Sequence, residues 1–558
     1  MKKRCAVSGI EFVITPSDLS YYDKVSPVIG GVKYSLPTPS LCPNERQRRR
    51  IAFRNERRFY HRKCDLTGHE IVSMYSSDKP YVIYDQKEWW SDRWDATSYG
   101  RAFDFTKSFF EQFEELRRVV PRVCLLSRNS VNSDYTNISA DNKNCYLIIE
   151  SSNNQDSYYS YWLQKCSDCI DCSFCYECEL CYETSDCRSC YNLKYSQNCR
   201  GCSDSAFLES CSDCAHCFGC INLRQKSYHI FNKPYSKEAY LEKMAGLSTS
   251  SHASVMQSAK DAHELFSHHP RKYSQIINSE NCSGCYIADS ANCQSCFHAV
   301  EAKDCTYCVH VWRNAKDCMD VDTAGRNAEL IYETINCGVD VYHNLFCMTC
   351  WTAQELLYCD FCHYSKNCFG CVGLQHKEYC ILNRQYTKAE YEALIPRIIE
   401  HLRATGEWGE FFPAAMSCFG YNETAAFDSF PLTRSEALAR GYKWQDEDSA
   451  SRYQGRQYRI PDSIEAVADD LTKAILLCEE SNRPYRVMAQ ELSFYRKNLL
   501  PIPRRSPEQR HRDRMAKRLP RTLWPRECSQ CRVKQYSPYG PERPEKVLCE
   551  KCFAELLC

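Results

Sequence analysis

The chain has 558 residues, and its 71 Lys and Arg balance 71 Asp and Glu, so the formal net charge is zero. Cys and Tyr, 41 and 38 residues, stand in for much of the aliphatic content of an ordinary core. No stretch reaches the roughly 18 uninterrupted apolar residues of a membrane helix, and the opening MKKRCAVSG lacks the apolar stretch of a secretory signal, so a reducing, cytoplasmic setting is expected, where abundant cysteine means thiols or metal ligands rather than disulfides.

From the N-terminus, the chain reads as a degenerate zinc-ribbon-like module with a basic helix (1–100), a cysteine-rich solenoid unit with a leading helix (101–241), a second such unit (242–400), a packing segment (401–476) and a zinc-ribbon module with a basic helix (477–558). The fold class this predicts is mainly β with helical connectors: a duplicated Cys-rich β-solenoid flanked by two homologous zinc-ribbon-like modules. The charge is unevenly placed. Residues 43–63 carry nine Lys/Arg against two Asp/Glu, and so do residues 504–526. Arg46, Arg50 and Arg54 in one stretch, and Arg510, Arg514, Arg518 and Arg521 in the other, recur at near-helical spacing with aromatic neighbours, which predicts a basic ridge on each module. Such a ridge suits phosphate and base-stacking contacts to nucleic acid, or an acidic protein partner. A solvated helix face, or a dock for the protein's own acidic centre, is the plainer reading.

The centre is built on a stride of three. Cys166, Cys169, Cys172, Cys175, Cys178 and Cys181 fall three residues apart, fifteen cysteines lie between Cys145 and Cys220, and fifteen more between Cys282 and Cys380. A straight strand alternates every two residues and a helix turns every 3.6, so neither keeps such a row on one face. A narrow solenoid that turns corners after very short strands does. The pattern Ser/Ala-x-Asn/Asp-Cys recurs at steps of eleven to thirteen residues, and Asn or Asp before Cys suits a left-handed corner with the thiol turned inward. Residues 217–240 match 368–391 at twelve of 24 positions, which marks a duplication. Amphipathic helices are predicted over 109–120 and 255–268, each stopped by a proline, and a further helix over 462–478. The many thiols read first as an inert packed ladder. The alternative is a metal-storage or electron-transfer protein that uses the Cys-x-x-Cys arrays.

At the C-terminus, Cys528-Ser-Gln-Cys531 and Cys549-Glu-Lys-Cys552 are two Cys-x-x-Cys knuckles, the donor set of one tetrahedral structural zinc. Residues 43–89 align without a gap on 507–553 with thirteen of 47 identities, and the four ligand positions fall on Cys64, Thr67, Asp85 and Glu88. Thr is a poor zinc ligand, so the N-terminal copy is expected to keep the shape without the metal. No phosphate-binding Gly-rich loop, Gly-x-Ser-x-Gly or His-Glu-x-x-His occurs, and no small-molecule substrate is indicated. The expectation is a non-enzymatic zinc-binding scaffold or binding protein with one structural zinc, contacting nucleic acid or an acidic partner through Arg46, Arg50, Arg54, Arg514, Arg518 and Arg521.

The segments LCPNERQRRR (41–50), WWSDRW (89–94), NCFGC (367–371) and GEWGEFFP (406–413) resemble an uncharacterised family of cysteine-rich bacterial proteins with zinc-ribbon ends. The resemblance spans nearly the whole length and implies the architecture but no activity. Family members often carry cysteine where this chain has Ser8, Glu45, Thr67, Asp85 and Glu88, which sets its N-terminal module apart.

Overall fold

The computed structural model describes residues 1–336, 338–446 and 458–557; Cys337, counted above in the second cysteine array, lies outside them. The fold mixes β and α elements around long β-solenoid stretches. It divides into two compact units. The first holds Met1–Leu125, Ser274–Asp446 and Arg521–Leu523, and the second holds residues 126–273, 458–520 and 524–557. The N-terminal stretch thus shares a unit with the second cysteine array, and the C-terminal stretch with the first.

The solenoid follows from its triplets. Between Asn129 and Phe231 every third residue has positive φ, with Gly201 and Gly219 taking their turn in the series, and between Asn278 and Leu382 the same rule runs with small shifts. Each triplet is a bridging residue, a left-handed corner and an inward residue. Four triplets close a coil, so neighbouring coils pair in parallel twelve residues apart, as in Tyr161 with Ser173 and Ser203 with Ala215. The second array loosens this to eleven between Ile276 and Ile287 and thirteen between Lys316 and Glu329, which accounts for the uneven period in the sequence.

A left-handed residue other than glycine costs about 1–2 kcal/mol. The coils offset this with hydrogen bonds worth about 1 kcal/mol each. Within one triplet, Ser167 N–H donates to the Cys178 carbonyl (3.0 Å) in the next coil and Asp168 N–H to the Gln155 carbonyl (3.1 Å) in the previous one. The inward residue's N–H needs a third acceptor. Side chains one coil earlier supply it: Cys166 N–H donates to Asn154 Oδ1 (2.9 Å), Cys172 N–H to Ser160 Oγ (3.0 Å) and Cys359 N–H to Cys347 Sγ (3.4 Å). The thiols in turn donate to carbonyls, Cys172 to Ile170 (3.4 Å) and Cys181 (3.3 Å). The inward position therefore favours a residue that is small and carries a polar atom. Cys meets both conditions and still behaves as a hydrophobe. The core of the first array is accordingly a buried ladder from Cys166 to Cys220 with Leu163, Leu193 and Leu208 among the thiols.

Helices Phe109–Val119 and His252–Ser267 form where amphipathic patterning and the following prolines predict them, and Thr387 closes a capping box on Lys388–Thr405. The helix expected over 462–478 does not form. Residues Ile464–Ala466 and Asp469–Lys473 make short 3-10 turns, and Leu476–Leu477 pairs with Pro484–Tyr485 as a hairpin. Among the described residues no helix is long and apolar enough to cross a membrane.

Candidate metal centre

The C-terminal site is assembled by a hairpin, a loop and a helix. Strands Trp524–Glu527 and Lys534–Ser537 pair antiparallel, and the tight turn between them is the first knuckle. Arg532 takes the left-handed conformation (φ 63°), and its N–H donates to the Cys528 carbonyl at 3.0 Å. Ser529 N–H reaches the Val547 carbonyl (2.9 Å), which brings the second knuckle alongside. Cys549 directly precedes helix Glu550–Leu557. Arg526 ties down the intervening loop by donating to the carbonyls of Tyr539, Gly540, Arg543 and Glu545.

The Sγ atoms of Cys528, Cys531, Cys549 and Cys552 all lie within 4.8 Å of one another, with Cys531 and Cys549 3.7 Å apart. Zn–S bonds of about 2.3 Å make the edge of a regular tetrahedron about 3.8 Å. The donor set fits a closed four-thiolate zinc site. Burial raises the Cys528 thiol, but the N–H groups of Cys531, Cys549 and Gln530 outweigh it and hold the group at about 6. Burial and the three neighbouring thiols push Cys552 up to about 12. Cys528 and Cys552 are buried, while Cys531 is exposed.

The same turn occurs at three further places among the described residues, each without the full thiol set. Cys64 N–H donates to His69 and Gly68 N–H to Cys64; Cys5 and Gly9 with Ile10, and Cys478 and Asn482 with Arg483, repeat the arrangement. Around Cys64, Asp85 N–H donates to the sulfur (3.1 Å), the Asp85 carboxylate caps Lys87 N–H (2.9 Å), and Glu88 pairs with Arg93 (2.7 Å). The carboxylates have thus found other partners, and the only ligand cluster among the described residues is the C-terminal one.

The structure corrects the basic ridges. Arg46, Arg50 and Arg514 are at most 1% exposed and Arg54 only 5%. In the first unit, helix Pro43–Ile51 lies on strand Val309–Ala324. Arg46 pairs with Asp320 (2.6 Å), Arg50 with Asp322 (2.9 Å), and Arg54 donates to Thr323 (2.7 Å). In the second unit, helix Pro507–Ala516 sets Arg510 (2.9 Å) and Arg514 (3.0 Å) on Asp171, and Arg518 grips Asp186 through two bonds of 2.8 Å. Arg521 reaches the His310 ring at 3.0 Å. These side chains do not form a nucleic-acid face. Arg46 and Arg50 in the first unit, and Arg510 and Arg514 in the second, dock their helices onto solenoid corners, where Asp171 (φ 55°) and Asp320 (φ 58°) both sit in the left-handed conformation. A visible signal did exist: Ile170-Asp-Cys-Ser and Met319-Asp-Val-Asp place an acid at matching corners of the two arrays. Trp89 is fully buried against Phe361 and His363 in the first unit.

Comparison of the chain with protein-family models and with curated proteins returned no match to either, so a functional reading has to come from the site itself.

Proposed function

We propose that this protein is a non-enzymatic scaffold in which Cys528, Cys531, Cys549 and Cys552 hold one structural zinc. The observation that carries the reading is the cluster of four thiol sulfurs within 4.8 Å of one another, one pair of them 3.7 Å apart. A zinc there would join the hairpin Trp524–Ser537 to the strand Val547–Leu548 and the helix behind it. That strand pairs in parallel with Arg271–Lys272 within the second unit, and Ser537 Oγ donates to the Tyr273 carbonyl (2.6 Å). The metal would thus brace the segment that pairs with Arg271–Lys272 within the second unit.

The alternative of metal storage or electron transfer through the arrays has less support. The ladder thiols donate to carbonyls, and no three of them converge as the C-terminal four do among the described residues. Native mass spectrometry on protein kept reduced throughout tests the choice. One zinc per chain, lost in the Cys528→Ser/Cys549→Ser variant, is the expected result. Several metals per chain that survive the double substitution would overturn it and move the functional site into the solenoid.

A further inference from the structure

The second unit contains a cavity of about 620 Å³ that the metal site does not use. One wall is the solenoid, where the rings of Tyr195 and Phe207 stack at 4.9 Å. The facing wall is helix His252–Ser267, which turns Val255, Met256 and Phe266 toward it. The end is closed by the residues following the basic helix and by Tyr539, Arg543 and Glu545 from the loop between the two knuckles.

The charges lining the cavity are not equivalent. Each carboxylate is already matched to an arginine: Glu183 to Arg514 (3.2 Å), Glu209 to Arg271 (3.0 Å) and Glu545 to Arg543 (3.1 Å). Lys517 and His263 also line the cavity, and neither side chain has a hydrogen bond or ion pair among the described residues. The donors without a hydrogen bond or ion pair are thus the Lys517 ammonium and the His263 imidazole, both exposed, and the walls are mainly apolar. Cavities of roughly 300–1,000 Å³ with apolar walls and a few polar groups are the usual size and character of small-ligand sites.

We propose that this cavity binds a small amphipathic carboxylate, its alkyl body between the helix and the solenoid and its anionic end toward Lys517 and His263. A cationic amphiphile is disfavoured because its charge would meet carboxylates already neutralised and two unmatched donors. The proposal does not depend on zinc at the four-thiol site.

The test is isothermal titration calorimetry on the full-length protein with decanoate, decanol and decylamine, below their aggregation concentrations. Decanoate is expected to saturate one site and decanol to bind about tenfold more weakly, with decylamine weakest. Contacts to exposed charges are worth about 0.2–1 kcal/mol, or up to about fivefold each. The Lys517→Gln/His263→Gln variant should therefore weaken decanoate by about tenfold and leave decanol unchanged. Ala259→Trp, which fills the cavity from the helix, should abolish binding of both. Met256→Trp serves the same purpose at a more exposed position if the first variant fails to fold. Equal affinity for decanoate and decanol, or no effect of the double glutamine variant, would overturn the anionic assignment. Absence of saturable binding by all three compounds, or unchanged binding in a folded tryptophan variant, would overturn the site.

Discussion

Replacing Asp171 with Asn probes the docking of the second basic helix. The Asp171 side chain has no exposed surface and faces the guanidinium groups of Arg510 (2.9 Å) and Arg514 (3.0 Å), which are themselves 4% and 1% exposed. Breaking a buried ion pair from one side typically costs about 3–5 kcal/mol, because the orphaned charge stays desolvated. Here each arginine keeps a second carboxylate, Glu491 at 3.3 Å and Glu183 at 3.2 Å, which places the expectation at the lower end, about 3 kcal/mol. The chain is too large and too divided for one two-state unfolding transition. Native-state hydrogen exchange at the amides of helix Pro507–Ala516 and of the coil around Asp171 reads the effect locally. A cost below about 1 kcal/mol for Asp171→Asn, or a cost that vanishes at high salt as a surface pair's would, refutes the buried-dock account.

Three further outcomes are expected. Zinc affinity at the C-terminal site should rise at least about tenfold per pH unit between pH 6.5 and 8, measured against a competing chelator, because Cys528 at about 6 is already a thiolate there whereas Cys552 at about 12 must surrender its proton to the metal; a flat profile would contradict the thiolate assignment. His343 is lowered by burial but raised more by the Glu355 carboxylate and the Val25 carbonyl, so its net shift is upward. Its stabilisation of the first unit is full below the unfolded value near 6.5 and is lost as pH climbs through the folded one; His343→Gln should flatten the exchange rates of helix Pro16–Val25 with pH, and an unchanged profile would count against the pairing. Cys169, whose thiol donates to the Ser167 carbonyl (3.3 Å) and whose N–H reaches Ser157 Oγ (3.3 Å), should tolerate Ser at about 1 kcal/mol, while Val should cost about 1–3 kcal/mol from overpacking; neither change should alter metal content, and a lost metal ion in either would reopen the storage reading.

Features carried by local spacing were legible in the chain. The stride of three forces a corner at every third residue, and two Cys-x-x-Cys knuckles declare a four-thiol site, because both are set by residues close to one another. The direction of the arginines was not legible in the basic segments themselves. A helix with Arg at positions 46, 50 and 54 looks the same whether its counter-charge is an external phosphate or an aspartate of its own chain, and here the partner of Arg46 lies 274 positions away. The hairpin at 476–485 shows the same limit on a smaller scale. Apolar spacing suited a helix, but the turn around Asn482 (φ 57°) repeats the knuckle geometry with Cys478 as its one thiol. The cavity leaves no mark in the sequence at all, since its walls come from residues spread between 183 and 545.

The crosswise assignment of the two ends has a consequence for biosynthesis. Arg46 meets Asp320 across 274 positions, and Arg514 meets Asp171 across 343. At about 5–20 residues per second on the ribosome, the first basic helix waits tens of seconds for its acidic seat to emerge. The first solenoid waits longer still, with Asp171 unpaired until Arg514 has been made. Termination between residues 186 and 510 would therefore release a chain that carries Asp171 and Asp186 but not the arginines that pair with them.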